Sequence, residues 1–145
     1  MLDHLLIFAR HPVLGQGKTR LASTIGPVAA LDVYRELLAH TRAAADGVGA
    51  LKNLWLAGEM PLSGTPFSEW AGYEQHQQPA GDLGQRMHQA FATAFVAGAM
   101  KVVVIGTDCP RPLTWQKPFS CLPPTRWWWA RPWTAATTYS ACALW

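Results

Sequence analysis

The sequence predicts an α/β fold: an open, mostly parallel β-sheet with helices on both faces. Three observations point to it. Apolar runs of strand length alternate with stretches of helical periodicity as far as Gly106. The run Lys101-Val102-Val103-Val104-Ile105-Gly106 is continuous and β-branched, as in a central parallel strand covered on both faces. Loops rich in glycine, proline and charge fall directly after strand-like runs, where open parallel sheets bind their ligands.

Taken in order, residues 4–9 (His-Leu-Leu-Ile-Phe-Ala) read as a buried strand, and residues 10–20 as a loop with Pro12, Gly15 and Gly17. Residues 27–45 read as a helix. Pro27 suits its first position, Val28, Leu31, Tyr34, Leu37, Leu38 and Thr41 repeat at helical spacing, and Gly47 can end it. Residues 51–57 form a second strand, 58–72 a surface connection and 73–77 a short third strand. Residues 82–97 form a second helix. Asp82 is a good N-cap with Gln85 in the capping-box position, and Leu83, Met87, Ala90, Phe91, Ala94 and Phe95 make the apolar stripe.

Length and composition bound the function. A chain of 145 residues with 50% hydrophobic and 14% charged residues is about one globular domain, not a disordered tail, coiled coil or collagen. No apolar run approaches the roughly 20 residues needed to span a bilayer, which argues against a membrane protein. Met1-Leu2-Asp3-His4 carries an acid and no Lys or Arg ahead of its short apolar stretch, the opposite of an export signal, so a cytoplasmic protein is expected. Cys109, Cys121 and Cys142 form no C-x-x-C pair, which argues against a disulfide framework or a zinc site. Residues 1–108 hold eight Lys/Arg and nine Asp/Glu, a net of −1; residues 109–145 hold Arg111, Lys117, Arg126 and Arg131 and no acid, a net of +4. The overall +3 therefore belongs to the last quarter of the chain and does not describe a basic face for nucleic acid.

Three motifs could carry chemistry. The loop after the first strand presents Arg10, Lys18 and Arg20 among glycines that include Gly15. Glycine lets backbone N–H groups approach a phosphate, and the cations neutralise it. A solvated basic loop is the plain alternative, and the position right after the first strand favours phosphate. Gly17-Lys18-Thr19 resembles the end of a P-loop, but Pro12 stands where that motif needs glycine; a dinucleotide fingerprint fails at Arg20. Asp108 follows the valine-rich strand and could supply a carboxylate to a divalent ion shared with substrate phosphate oxygens. An Asx turn before Pro110 is the alternative, and the neighbouring basic loop favours the metal. Third, the segment Gln78-Pro79-Ala80-Gly81-Asp82-Leu83-Gly84-Gln85-Arg86-Met87 opens the second helix, whose N-terminus can receive an anion or a sugar hydroxyl. Asp82 serves equally as a simple cap, and Arg86 could reach a ligand or only solvent. The five histidines share no metal-ligand spacing, and no histidine is placed to activate Cys109.

In the same order, Phe8-Ala9-Arg10, Pro12-Val13, Gly15, Lys18-Thr19-Arg20-Leu21, then Gly81-Asp82-Leu83-Gly84, Arg86-Met87 and Ala90-Phe91, then Ile105-Gly106-Thr107-Asp108-Cys109-Pro110, resemble bacterial radical-SAM/selenodomain-associated transferases, also called arsenosugar-biosynthesis-type glycosyltransferases. The resemblance covers residues 2–110. It implies a GT-A-like, nucleotide-diphospho-sugar transferase fold and a nucleotide-sugar donor bound with a divalent cation, Mg²⁺ or Mn²⁺. By it, Arg10, Lys18 and Arg20 match the phosphate loop and Asp108 the metal-binding acid; Gly15, Asp82 and Arg86 complete the candidate nucleotide- and phosphate-binding positions. It assigns no catalytic base. Gln16 and Gly17 depart mildly from a loop that is often more basic.

After Pro110 the resemblance stops. That family continues with an apolar strand and a motif like Gly-Pro-Ala-x-Asp-Gly-Gly-Tyr-Tyr-Leu-Leu-Gly. Back-translating residues 125–145 and reading from the third base of each codon forces Val at each Trp-Trp junction, Gly at Trp129-Ala130 and Asp at Trp133-Thr134. The free third bases then permit that whole motif. Residues 1–110 are thus expected to be the N-terminal half of the domain, and 111–145 an out-of-frame, poorly ordered tail that leaves the sheet incomplete. Six of the eight tryptophans lie in that tail, where they are an exposed aromatic hazard rather than core. The expected protein is a glycosyltransferase-like chain, inactive as written, with an acceptor the sequence does not identify. The alternatives are a nucleotidyltransferase of related fold and a non-catalytic module that stacks single-stranded nucleic acid on the Trp-rich tail.

Overall fold

The computed structural model describes residues 3–58 and 67–108. The expected tail, 111–145, lies outside the described residues. Four strands, β1 (Asp3–Arg10), β2 (Leu51–Ala57), β3 (Glu74–Gln77) and β4 (Lys101–Gly106), form one sheet in the order β3-β2-β1-β4. Every pairing is parallel, as the alternation of strand and helix signals requires. Three helices connect them: α1 (Thr19–Ile25), α2 (Pro27–Asp46) and α3 (Leu83–Val96).

β1 is the centre of the structure. Its residues alternate between two cores because successive side chains of a strand point to opposite faces. Leu5, Ile7 and Ala9 pack with Tyr34, Leu38 and Ala45 of α2, with Leu54 and Leu56 of β2, and with Trp70. Leu6 faces the other way, onto Trp55, Ala90, Ala94 and Ala99, with Phe8, Phe91 and Phe95 at the margin. Helices therefore cover both faces, α2 one and α3 the other.

The element boundaries follow local chemistry. α1 and α2 meet at Gly26, whose φ of 89° is open to glycine at no steric cost, and Pro27 starts α2. α3 begins at a complete capping box: Asp82 accepts from Gln85 N–H, and the Gln85 side chain accepts from Asp82 N–H. The short third strand is held by Gln75, whose amide bonds the backbone of Phe67 and Trp70. Tyr73 donates to Asp46 at 2.6 Å and ties it to the end of α2. Burial first, and then that carboxylate, push the Tyr73 hydroxyl well above the usual phenol range.

Two expectations are corrected. Residues 19–25, read as loop and unassigned chain, form α1, a helix of seven residues with none buried. The buried face of α2 is Ala30, Tyr34, Leu38, Thr41 and Ala45, rotated from the expected stripe, so that Val28 is exposed. β4 pairs with β1, and its valines reach both cores, Val103 one and Val102 and Val104 the other, each of them partly buried.

Candidate functional site

Because β1, β2 and β4 are parallel and in register, their carboxyl ends lie together. Arg10 pairs with Ala57, and Phe8 with Gly106. The residue after β1 continues the pairing, with His11 N–H donating to Ala57 C=O at 3.2 Å. Two short backbone bonds then fold the loop, Val13 N–H to His11 C=O and Gln16 N–H to Val13 C=O. Gly15 sits between them at φ 80°, a left-handed turn that glycine makes readily.

The loop delivers Lys18 to Asp108. The Lys18 ammonium meets Asp108 Oδ1 at 2.5 Å, with side-chain exposures of 26% and 73%. Two residues 90 positions apart thus share one point in space. Lys18 is the one non-glycine residue with positive φ among the described residues (φ 52°). That backbone costs an L-residue roughly 1 kcal/mol. The Arg10 guanidinium folds onto the same loop and donates to Gln16 C=O at 3.3 Å.

Arg86 is turned toward protein rather than open solvent. It donates to Gly81 C=O at 2.9 Å and to Gln78 Oε1 at 3.4 Å. The Gln78 amide in turn donates to Trp55 C=O at 2.9 Å and Ala9 C=O at 3.3 Å. The segment before α3 is thereby fastened to the ends of β1 and β2. Asp82 is engaged as the α3 cap. Arg20 lies exposed on α1, its carbonyl accepting from Ser23. Of the positions read from the sequence, the structure joins Lys18 to Asp108 directly, draws Arg10 onto the loop and links Arg86 to the end of β1 through Gln78.

Three neighbours of the site carried no assigned role in the sequence. Tyr34 of α2 bonds both backbone groups of Arg10. Gln78 bridges two strand ends. His11 is 5% exposed, edge-on to Phe67 at 6.2 Å, and its Nε2 has no hydrogen-bond partner among the described residues. Burial lowers its pKa below the ordinary 6.5. Gln78 and His11 lie within the segments that carry the site, and Tyr34 stood out only as part of the apolar stripe of α2. The other buried histidine, His4, is structural: its Nδ1 lies 3.3 Å from the amide of buried Asn53, which also contacts His76.

Among the described residues no group of three or more His, Cys, Asp or Glu is gathered to hold a metal. Asp108 alone fits a hard cation only as part of a shared shell. Mg²⁺ bound by one carboxylate, water and substrate phosphate oxygens is such a shell. No described helix is long and apolar enough to cross a membrane.

The chain has a parallel α/β sheet covered on both faces, a nucleotide-diphospho-sugar transferase fold. It belongs to the family described as "Uncharacterized protein conserved in bacteria (DUF2064)", which matches residues 40–114. It is similar to a "putative nucleotide-diphospho-sugar transferase" from Desulfovibrio desulfuricans G20, with 30% identity and a TM-score of 0.69 over 76% of this chain and 49% of that one. The chain thus spans about half the length of that solved relative. No curated protein matches it.

Proposed function

We propose that the chain is the N-terminal, donor-binding half of a glycosyltransferase that takes a nucleotide-diphosphate sugar together with Mg²⁺ or Mn²⁺. The observation that carries this is the 2.5 Å contact between Lys18 and Asp108. A cation from the β1 loop and a carboxylate from the end of β4 share one point, as they must if both act on one diphosphate. Lys18, with Arg10 and Arg20, would neutralise the phosphates, and Gly15 would allow close backbone approach. Asp108 would hold the divalent ion, which supplies charge stabilisation to the departing nucleoside diphosphate. Arg86 and Asp82 would contribute by shaping the loop before α3. The similarity to the Desulfovibrio protein supports the donor class, and the resemblance to arsenosugar-type transferases refines it.

Residues 111–145 enter this reading as out-of-frame sequence, so that the chain as written lacks the acceptor side of the site and is inactive. The test is calorimetric titration of the chain with pyrophosphate and with UDP, GDP, ADP, CDP and dTDP, each with and without Mn²⁺. Metal-dependent binding of pyrophosphate, improved by one of the nucleosides, is the expected result. Pyrophosphate release from a nucleoside triphosphate would instead indicate a nucleotidyltransferase, and failure to bind any diphosphate would refute both.

A further inference from the structure

We propose that Tyr34 is a positioning residue for the diphosphate loop, acting through the backbone of Arg10. The inference rests on the phosphate-binding reading of that loop. β1 is flanked by two strands, but their reach differs. Pairing with β2 continues to Arg10, whereas pairing with β4 stops at Phe8 opposite Gly106. The last residue of β1 therefore has no β4 partner for its backbone groups. The Tyr34 hydroxyl takes that place twice: Arg10 N–H donates to it at 2.8 Å, and it donates to Arg10 C=O at 2.9 Å.

A hydroxyl has one donor and an acceptor oxygen, and both are used on a single residue. Two bonds fix the peptide planes on either side of Arg10, and with them the direction in which the chain leaves the strand. The phenol is itself immobile. It is 6% exposed within the core formed by Leu5, Ile7, Ala9 and Leu38. α2, together with the His11 N–H bond to Ala57 C=O of β2, therefore sets the departure angle of the loop that carries Arg10 and Lys18. Gln78 holds the preceding residue, Ala9, by its carbonyl, so the loop root is pinned on successive residues from two elements. An aromatic ring without the hydroxyl would fill the same core volume, so packing alone does not call for tyrosine.

The test is the affinity of the full chain for pyrophosphate with Mn²⁺, for Tyr34→Phe, for Arg10→Ala, for the double variant and for Thr41→Val. Thr41 lies on the same buried face of α2, and its hydroxyl bonds Leu37 C=O within the helix. Its replacement therefore controls for loss of a helix hydroxyl without contact with the loop. Tyr34→Phe is expected to weaken pyrophosphate binding about tenfold, the usual scale for a partner one step behind the ligand contact, while Thr41→Val stays within about twofold. In the Arg10→Ala background Tyr34→Phe should cost clearly less, about threefold, because one of the two cations that the loop carries is gone while Lys18 remains to be positioned. A Tyr34→Phe protein that binds as wild type, that loses no more than Thr41→Val, or whose loss is undiminished in the Arg10→Ala background overturns the positioning role while leaving the phosphate site standing. A wild-type chain that binds no pyrophosphate overturns both.

Discussion

Replacing Asp108 with Asn separates the pair's role in binding from its role in stability. The Lys18–Asp108 contact is short, but the side chains are 26% and 73% exposed, so solvent screens it. An exposed pair of this kind contributes about 0.5 kcal/mol. At roughly 4 °C per kcal/mol for a domain of this size, Asp108→Asn should move the unliganded Tm by about 2 °C. Ligand linkage is larger. A ligand at 100 times its Kd stabilises by about 2.7 kcal/mol, a rise of roughly 10 °C. If the carboxylate holds the shared cation, Asp108→Asn weakens Mn²⁺-dependent pyrophosphate binding by about 30-fold, and the same ligand concentration then adds only about 0.9 kcal/mol, or 3–4 °C. Without metal the sign reverses. The variant has lost a negative charge beside the phosphate and has released Lys18, so it should bind metal-free pyrophosphate more tightly than wild type. Calorimetry and thermal melts, each with Mn²⁺ and with chelator, read both effects. Equal metal-dependent affinities in wild type and Asp108→Asn would refute the assignment of Asp108 to the cation.

Gly15→Ala should cost about 1 kcal/mol in chemical denaturation, since φ of 80° strains an L-residue while the space around its Cβ is open. The cost is conformational, so a loss several times larger would mean the loop is packed more tightly than its geometry indicates. His11 gives a pH signature. Burial holds its folded pKa below 6.5; as pH falls past 6.5 the unfolded chain takes up a proton that the folded chain refuses, and stability declines, whereas above 6.5 both states are neutral and the contribution is intact. His11→Gln should flatten that decline between wild-type and variant denaturation curves, and an unchanged acid slope would contradict burial as the cause. Deleting residues 111–145 should leave pyrophosphate affinity unchanged within about twofold. Loss of binding with the deletion would count against an out-of-frame tail.

Much of the fold was readable because continuous apolar runs leave little choice. β2 and β4 begin and end where the sequence placed them, at Leu51–Ala57 and Lys101–Gly106. The α3 capping box was legible because its geometry needs two residue types three positions apart. The face of α2 was harder. Large residues drew the stripe toward Val28, yet Ala30 and Ala45 lie against the sheet, since small side chains let a helix approach closely and periodicity of bulk does not register them. α1 buries nothing, so it leaves no hydrophobic period. In the site the cations and the carboxylate were visible by their chemistry. Tyr34 and Gln78 were not, because they bond backbone atoms of Arg10, Ala9 and Trp55, and backbone partners impose no spacing on the sequence.

Lys18 carries a structural role and, on the proposed reading, a ligand role. Its left-handed backbone costs roughly 1 kcal/mol, while the exposed contact it reaches contributes about half as much. The pair alone does not offset that strain; the same residue also opens α1, its C=O accepting from Ala22 N–H at 2.8 Å. On the proposed reading a phosphate ester adds to this: it brings negative charge that a side chain held at 26% exposure can meet partly shielded from water, where each charge-assisted bond is stronger than its exposed counterpart. Strain of this kind persists where the surroundings enforce it, and here Tyr34 and Gln78 hold the backbone at the root of the loop, at Arg10 and Ala9, from α2 and the segment after β3. A loop whose root is held from two elements is pre-organised, and the entropy of ordering it is spent on folding rather than on binding.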